Sequence, residues 1–405
     1  MDKCIVCDSN KLKRVIDLGL HPTADSFLNN FKEASSQKSY ELKCELCLSC
    51  GHLQNQVVVP SSERYEDIDY SYTSSNSEIS MNHWSEFYKT VSYKVNLNDQ
   101  DNVLEFGSND GHLTDLFNKK YSAIGIEPSE YLAKLSLKKG IEVINGYLSK
   151  ESITKAVKKN GKYTLIYGNN VFNHISELNK STSAIVSGLK IDGYFVFESP
   201  YCLDVIKNYY FDTIYHEHLS YFSIKSVDTL FKRHGLYICD IERNGYHGGS
   251  IRVYSSNNKV KYNPEIVNEY IQNEIEFGLF DIITYKKFME KISKDKESTL
   301  HKIIKMKDQG LSIVAIGAAA RSNTLLNYYK LDNTSIDFIT DSSEHKIGKF
   351  TPGSSIPIFD DKALKTLNPD VAIILSWNIG KFLIKKIQDI NPKMNVITIG
   401  GKELL

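Results

Sequence analysis

A chain of 405 residues is long for one hydrophobic core, and 41% hydrophobic residues is enough to bury two or three. Lys plus Arg and Asp plus Glu both total 49, so the formal net charge is zero and no overall basic field points to nucleic acid or anionic lipid as a partner. No apolar run approaches the roughly 20 residues a bilayer span needs, and MDKCIVC does not read as a signal peptide; the expectation is a cytoplasmic globular protein that acts on small molecules.

Five of the seven cysteines fall in the first fifty residues. Cys4-Ile-Val-Cys7 and the run Cys44-Glu-Leu-Cys47-Leu-Ser-Cys50 offer two knuckles, which together close a tetrahedral zinc site with no open position. The second knuckle can be Cys44 with Cys47 or Cys47 with Cys50. Gly51 favours the latter, because it permits the tight turn a knuckle needs. The expected metal ligands are Cys4, Cys7, Cys47 and Cys50, in a structural site.

A Tyr- and Ser-rich link leads to a helix near 80–95, and then a new unit begins. NVLEF (102–106) reads as a buried strand, GSNDG (107–111) as a turn, and HLTDLFNKK as a helix. SAIGIE (122–127), IEVING (141–146), YTLIYGN (163–169) and GYFVFES (193–199) are further strands separated by helical patterns, which predicts a doubly wound parallel sheet. FDTIYHEHLSYFS (211–223) crowds two histidines, a carboxylate and two tyrosines into the run from Tyr215 to Tyr221. As a strand it would put His216 and His218 on one face and Tyr215 and Glu217 on the other. An H-x-H pair could ligate a metal, or one histidine could serve as a general base. A lysine-rich helix is expected from about Tyr285 to Lys307. A second α/β unit follows, with strand LSIVAIG, the turn Gly317-Ala318-Ala319-Ala320-Arg321, strand SIDFITD ending at Asp341, and strand DVAIILSW.

In the first of these units, an acid at the end of the second strand stands about 20 residues past the turn, the spacing at which a carboxylate grips a ribose diol. GSNDG lacks the third glycine of a dinucleotide fingerprint. A turn of the form E-x-G-x-x-x-G, with Glu105 and Asp110 supplying negative potential and Glu127 the diol, suits a cationic adenosyl cofactor, S-adenosylmethionine.

The ordered set CxxC, ELCLSCGHLQ, LEFGSNDG, NNVFNH, FDTIYHEHLSYFS, YHGGSIRV, GAAAR and KIGKFTPGSSIPI resembles the sugar C-methyltransferase family, which acts on nucleotide-linked 4-keto-6-deoxy sugars. The match covers essentially the whole chain. It implies a zinc-binding domain (1–72), a Rossmann-like class I methyltransferase domain (73–298) and a C-terminal Rossmann-like domain that helps hold the sugar nucleotide (299–405). By the same resemblance Gly107, Asn109, Asp110, Gly111 and Glu127 contact the cofactor, and Asn170 lines its methyl group. Arg321 stands where the family's GAAAK-like turn carries lysine; either residue pairs with phosphate, but arginine presents a planar fork.

Methylating carbon requires removal of a proton beside a ketone and donors for the enolate oxygen. His218 is the expected base, with His216 its competitor. Glu217 would orient or bind a sugar hydroxyl and Tyr215 would donate, while His174, Tyr70 or Tyr72 would stabilise the enolate or substrate, and His247 is a further substrate contact. Competing readings are a nicotinamide-dependent nucleotide-sugar oxidoreductase using GAAAR and Asp341, transfer to oxygen of a related sugar, and a zinc-ribbon nucleic-acid binder, the last disfavoured by the absence of basic character. All site parts lie on one chain, so a monomer or weak dimer is expected.

Overall fold

The computed structural model describes residues 1–60, 73, 75 and 77–400; Tyr70 and Tyr72 lie outside the described residues. The N-terminal module is an antiparallel sheet of β1 (Leu12–His21), β2 (Tyr40–Cys47) and β3 (Leu53–Asn55). Its two knuckles repeat one device. Asp8 N–H donates to the Cys4 carbonyl and Gly51 N–H to the Cys47 carbonyl, and both donors sit at positive φ, +60° and +74°. Glycine is required at the second, since a Cβ on Gly51 would lie 2.4 Å from the Phe280 ring.

The central unit supplies β4 (Asn102–Phe106), β5 (Ser122–Glu127), β6 (Val143–Asn145), β7 (Tyr163–Asn169), β8 (Leu189–Pro200), β9 (Ser220–Tyr221), β10 (Tyr237–Asn244) and β11 (Ser250–Ser256). The sheet order is β10-β11-β8-β7-β4-β5-β6, with β6, β5, β4, β7 and β8 parallel and β11 running against both β8 and β10. That single reversed strand near one edge is the class I methyltransferase arrangement. β9 leaves this sheet and pairs with β3, Leu53 opposite Tyr221.

The helix Glu78–Lys94, capped by the Ser77 side chain, packs Trp84, Phe87 and Val91 against Phe117 and Tyr167. The helix Ile282–Asp308 then leads to a second, all-parallel sheet of β12 (Ile313–Ile316), β13 (Phe338–Thr340), β14 (Ile358–Phe359), β15 (Val371–Ile374) and β16 (Asn395–Thr398), in the order β14-β13-β12-β15-β16. The three parts are tied together. Trp377 Nε1 donates to Asp212 at 2.7 Å, and Asn323 Nδ2 donates to the Ala24 carbonyl of the N-terminal module at 2.6 Å.

Residues 211–223 are not the strand their alternation suggests. A short 3-10 turn (Phe211–Thr213) is followed by a turn at 216 and 217, and only Ser220–Tyr221 is extended. The His218 side chain and backbone both bond back, to the Thr213 and Tyr215 carbonyls, which closes the turn and separates His216 from His218.

Candidate functional site

A cavity of about 1090 Å³ lies among the three parts and is lined by residues from each. Asp25 reaches it from the N-terminal module. The central unit contributes the β4 turn, the loop after β7 and the Tyr246-His247 turn, and the C-terminal unit contributes Arg321, Asp341 and Lys346.

At its central-unit end, Gly107 and Asn109 hold φ of +64° and +53°, turning the chain so that backbone faces the cavity. A Cβ on Gly107 would meet Val171 at 2.7 Å. Glu127 accepts from Asn109 N–H at 2.8 Å and Ser129 N–H at 2.9 Å, and burial pushes its carboxyl up to about 7. Glu105 lies deeper; burial pushes it up to about 8, opposed by donation from the Thr114 and Tyr167 hydroxyls. Asn170, also at positive φ, lines the cavity beside Asn169, and the amide atoms of both are buried without a hydrogen-bond partner. Buried amides left unpaired at a cavity wall fit a polar ligand. Asp110 and Gly111 are outside the lining set: Asp110 is 2% exposed and pairs with Lys139 at 3.0 Å. A cationic adenosyl group therefore fits the residues present, with two carboxyl groups and two unpaired amides on one wall.

His218, His174 and Tyr215 meet in the middle of the cavity wall. The His218 ring lies 3.9 Å from Tyr215 and 5.1 Å from His174, centroid to centroid. His218 Nδ1 is 2.8 Å from the Thr213 carbonyl, which can only accept, so Nδ1 carries the proton and Nε2 the lone pair. Burial pushes His218 down to about 3, with Arg321 adding to the fall against the Thr213 bond, and the ring is neutral at neutral pH. His216 and Glu217 are buried but do not line the cavity; His216 reaches the Glu41 carbonyl at 3.3 Å and meets the Tyr40 ring edge-on.

Arg321 and His247 close the far side. The Arg321 guanidinium lies over the Trp377 ring at 4.9 Å and donates to the His247 carbonyl at 3.2 Å, while its Nη1 is buried without a partner. His247 sits at φ +54° between two glycines and a tyrosine; burial, then Arg321, His218 and His83 hold its ring well below the usual histidine range. Lys346 and Lys386 line the same end.

The four expected metal ligands converge. The ligand sulfurs of Cys4, Cys7, Cys47 and Cys50 all lie within 4.8 Å of one another, with Cys4 to Cys50 and Cys7 to Cys47 at 3.6 Å. A tetrahedron with bonds of about 2.3 Å has edges of about 3.8 Å, so the set fits zinc. Cys44 is buried outside it.

Lys346 and Lys386 were not singled out in the sequence, and two further cavity residues carry no signal there. His83 looks like the polar face of an amphipathic helix, and its partner Glu198 is remote in the chain; Asp25 sits in a loop of the zinc module with no motif around it.

Comparison with known proteins agrees with this order of parts. Residues 4–65 match a family described as a zinc binding domain, 82–241 a methyltransferase domain, and 245–397 the C-methyltransferase C-terminal domain. The chain is 28% identical over 386 residues to the C-methyltransferase NovU of Streptomyces niveus, covering 95% of this chain and 91% of that one. Solved structures that resemble it include an S-adenosylmethionine-dependent methyltransferase from Clostridium acetobutylicum (15% identity, 44% of this chain and 91% of the other, TM-score 0.35). Another is the magnesium protoporphyrin IX methyltransferase of Synechocystis with bound cofactor (12% identity, 44% and 78%, TM-score 0.33). Among the described residues no helix is long and apolar enough to cross a membrane.

Proposed function

This chain belongs to the sugar C-methyltransferase family, an S-adenosylmethionine-dependent methyltransferase with a structural zinc module, and from that premise we propose that it methylates carbon beside the ketone of a nucleotide-linked 4-keto-6-deoxy sugar. One observation carries the reading: a single cavity has a carboxyl-lined end, His174 and a neutral His218 in the middle and an arginine with two lysines at the far end. Such a cavity suits a cationic donor, an enolisable acceptor and a diphosphate in that order. In this reading residues 1–72 carry the zinc, 73–298 the donor site and 299–405 the grip on the nucleotide, and one chain supplies every group.

The cofactor supplies an electrophilic methyl group on a sulfonium. Glu127, Glu105 and the unpaired amide of Asn169 would hold its polar parts, and Asn170 would face the region of transfer. His218 Nε2 takes the proton from the carbon beside the ketone. A ring depressed to about 3 is a weak proton acceptor, and Arg321 is one cause of the depression. A diphosphate drawn to Arg321 offsets that cation, so substrate binding itself strengthens the base. Tyr215 and His174 lie within ring contact of His218, where a hydroxyl or ring N–H can meet the enolate oxygen. Glu217, behind this layer, acts by positioning its neighbours, and His247 with Arg321 holds the substrate.

The test is proton exchange followed by NMR in deuterated buffer on a nucleotide-linked 4-keto-6-deoxy sugar, with and without the cofactor, and mass analysis of the product. Deuterium beside the ketone and a new carbon-bound methyl are the expected result. A methyl on oxygen, or neither exchange nor transfer across several nucleotide sugars, would overturn the reading.

A further inference from the structure

His83 lines the cavity from the helix Glu78–Lys94, and none of the chemistry above uses it. Its ring is fixed on three sides. Nε2 is 2.6 Å from Oε1 of Glu198, one face stacks on Tyr246 with centroids 3.9 Å apart and planes 3° from parallel, and Trp84 meets it edge-on at 4.9 Å. Glu198 is fully buried, and its Oε2 receives Arg252 Nε and Asn244 Nδ2, each at 3.0 Å. The sheet makes this pairing compulsory, because Arg252 of β11 stands directly opposite Glu198 of β8. Arg252 is itself 2% exposed and also reaches Glu86 and Glu242.

A carboxylate held by a buried guanidinium is an acceptor only, so His83 Nε2 must be the donor in their bond. In the neutral ring the remaining nitrogen, Nδ1, carries the lone pair, and it makes no hydrogen bond among the described residues. Burying an arginine and a glutamate solely to anchor a packing histidine is costly; apolar groups of the same shape would hold the helix as well. The arrangement instead gives the cavity a second hydrogen-bond acceptor of fixed direction, on a different element from His218, with its free nitrogen set by a carboxylate rather than by a backbone carbonyl.

We propose that His83, held by Glu198, is a specificity-determining residue that accepts a hydrogen bond from a ring hydroxyl of the sugar and so fixes which carbon faces the methyl donor. That the ligand is a sugar rests on the function proposed above; the state of the ring does not. Two acceptor histidines divide the work, His218 taking the carbon-bound proton and His83 the hydroxyl.

Long-range nitrogen-15 NMR of the protein reads the ring directly: His83 protonated at Nε2 and bare at Nδ1 is expected, and a protonated Nδ1 would overturn the inference. The second arm uses His83→Phe, which keeps the stack on Tyr246 but cannot accept, and His83→Gln as a milder variant. Both should bind S-adenosylhomocysteine as the wild type does, which also reports an intact fold. Against 4-keto sugars lacking the 2- or the 3-hydroxyl, the wild-type protein should lose about 10- to 100-fold in kcat/KM on one of them, and His83→Phe should lose that discrimination. Unchanged discrimination in His83→Phe would overturn the contact. Should the wild type methylate no 4-keto sugar, the proposed function falls, and the protonation of the ring still decides whether His83 is a fixed acceptor.

Discussion

The central and C-terminal α/β units use the same bracket and set different side chains around it. In the central unit Glu127 ends β5 and accepts N–H groups from Asn109 and Ser129; in the C-terminal unit Asp341 follows β13 and accepts N–H groups from Ala318 and Ser343, at the same 2.8 and 2.9 Å. Each acid braces the glycine turn of its own unit. An acid at the end of a second strand is therefore a structural fixture of the turn before it is a ligand contact, and by itself says little about what binds. The difference lies in what the turns carry. Two residues before Gly107 stands the buried carboxyl of Glu105, while the corresponding place before Gly317 is Ala315, and the C-terminal wall adds Arg321 and Lys346. In the proposed function one turn meets a cation and the other an anion.

That contrast can be broken at several points. The largest effect is expected at the seam between the units: His218→Ala should lower turnover by about 10²- to 10⁴-fold, the usual worth of a positioned base, and leave affinity for S-adenosylmethionine nearly unchanged by calorimetry. Loss of cofactor binding with the fold intact would place His218 on the donor side. Next, Glu127→Gln should weaken the cofactor by about 10- to 100-fold, since a charged acceptor of two N–H groups is lost, whereas Asp341→Asn should spare cofactor affinity and raise KM for the sugar nucleotide. Equal effects of the two on the cofactor would end the idea that the units divide donor from acceptor. A smaller change, several-fold in KM, is expected for Arg321→Lys, which keeps the charge but loses the flat contact on Trp377 and the fork that meets a phosphate.

A different kind of effect is one of stability. Glu105 has a folded-state value raised to about 8 from an ordinary 4.5, so the folded protein binds its proton more tightly than the unfolded chain across that window. Stability from this group is thus fully present at the acid side and declines as pH rises toward 8, by at most about 1.4 kcal/mol per pH unit. Glu105→Gln should flatten the difference between melting curves taken at pH 5 and pH 8. An unaltered slope would mean that Glu105 is ionised throughout and that the negative end of the cavity is permanent.

Much of this was legible in the chain. The parallel strands NVLEF, SAIGIE and YTLIYGN were plain because buried parallel strands are short continuous apolar runs bounded by glycine. The zinc ligands were legible because both knuckles are local. β10 and β11 went unread: YICDIERN mixes buried and half-buried positions, and SIRVYSS, buried at every position, carries an arginine and three serines that disguise it as surface. Arg252 is polar in sequence yet interior in the fold because Glu198, on a neighbouring strand, pairs with it. The alternation in YHEHLS misled for the opposite reason, since a side-chain bond to Thr213 competes with the strand ladder, and no periodicity reports such a bond. The pairing of His83 with Glu198, which joins remote segments at the cavity, had no local signature at all.

The pairing of β9 with β3 imposes an order of events on the nascent chain. A ribosome emits the cysteines first, and zinc can gather them at once, but the last strand of their sheet is Ser220–Tyr221, within the segment that bears His218. Until that stretch emerges, β3 presents an open edge, the kind of surface that invites pairing with another chain. The stretch that carries His218 is thus also the stretch that covers the edge of the zinc sheet, so the histidine turn and the closure of that module are one piece of chain.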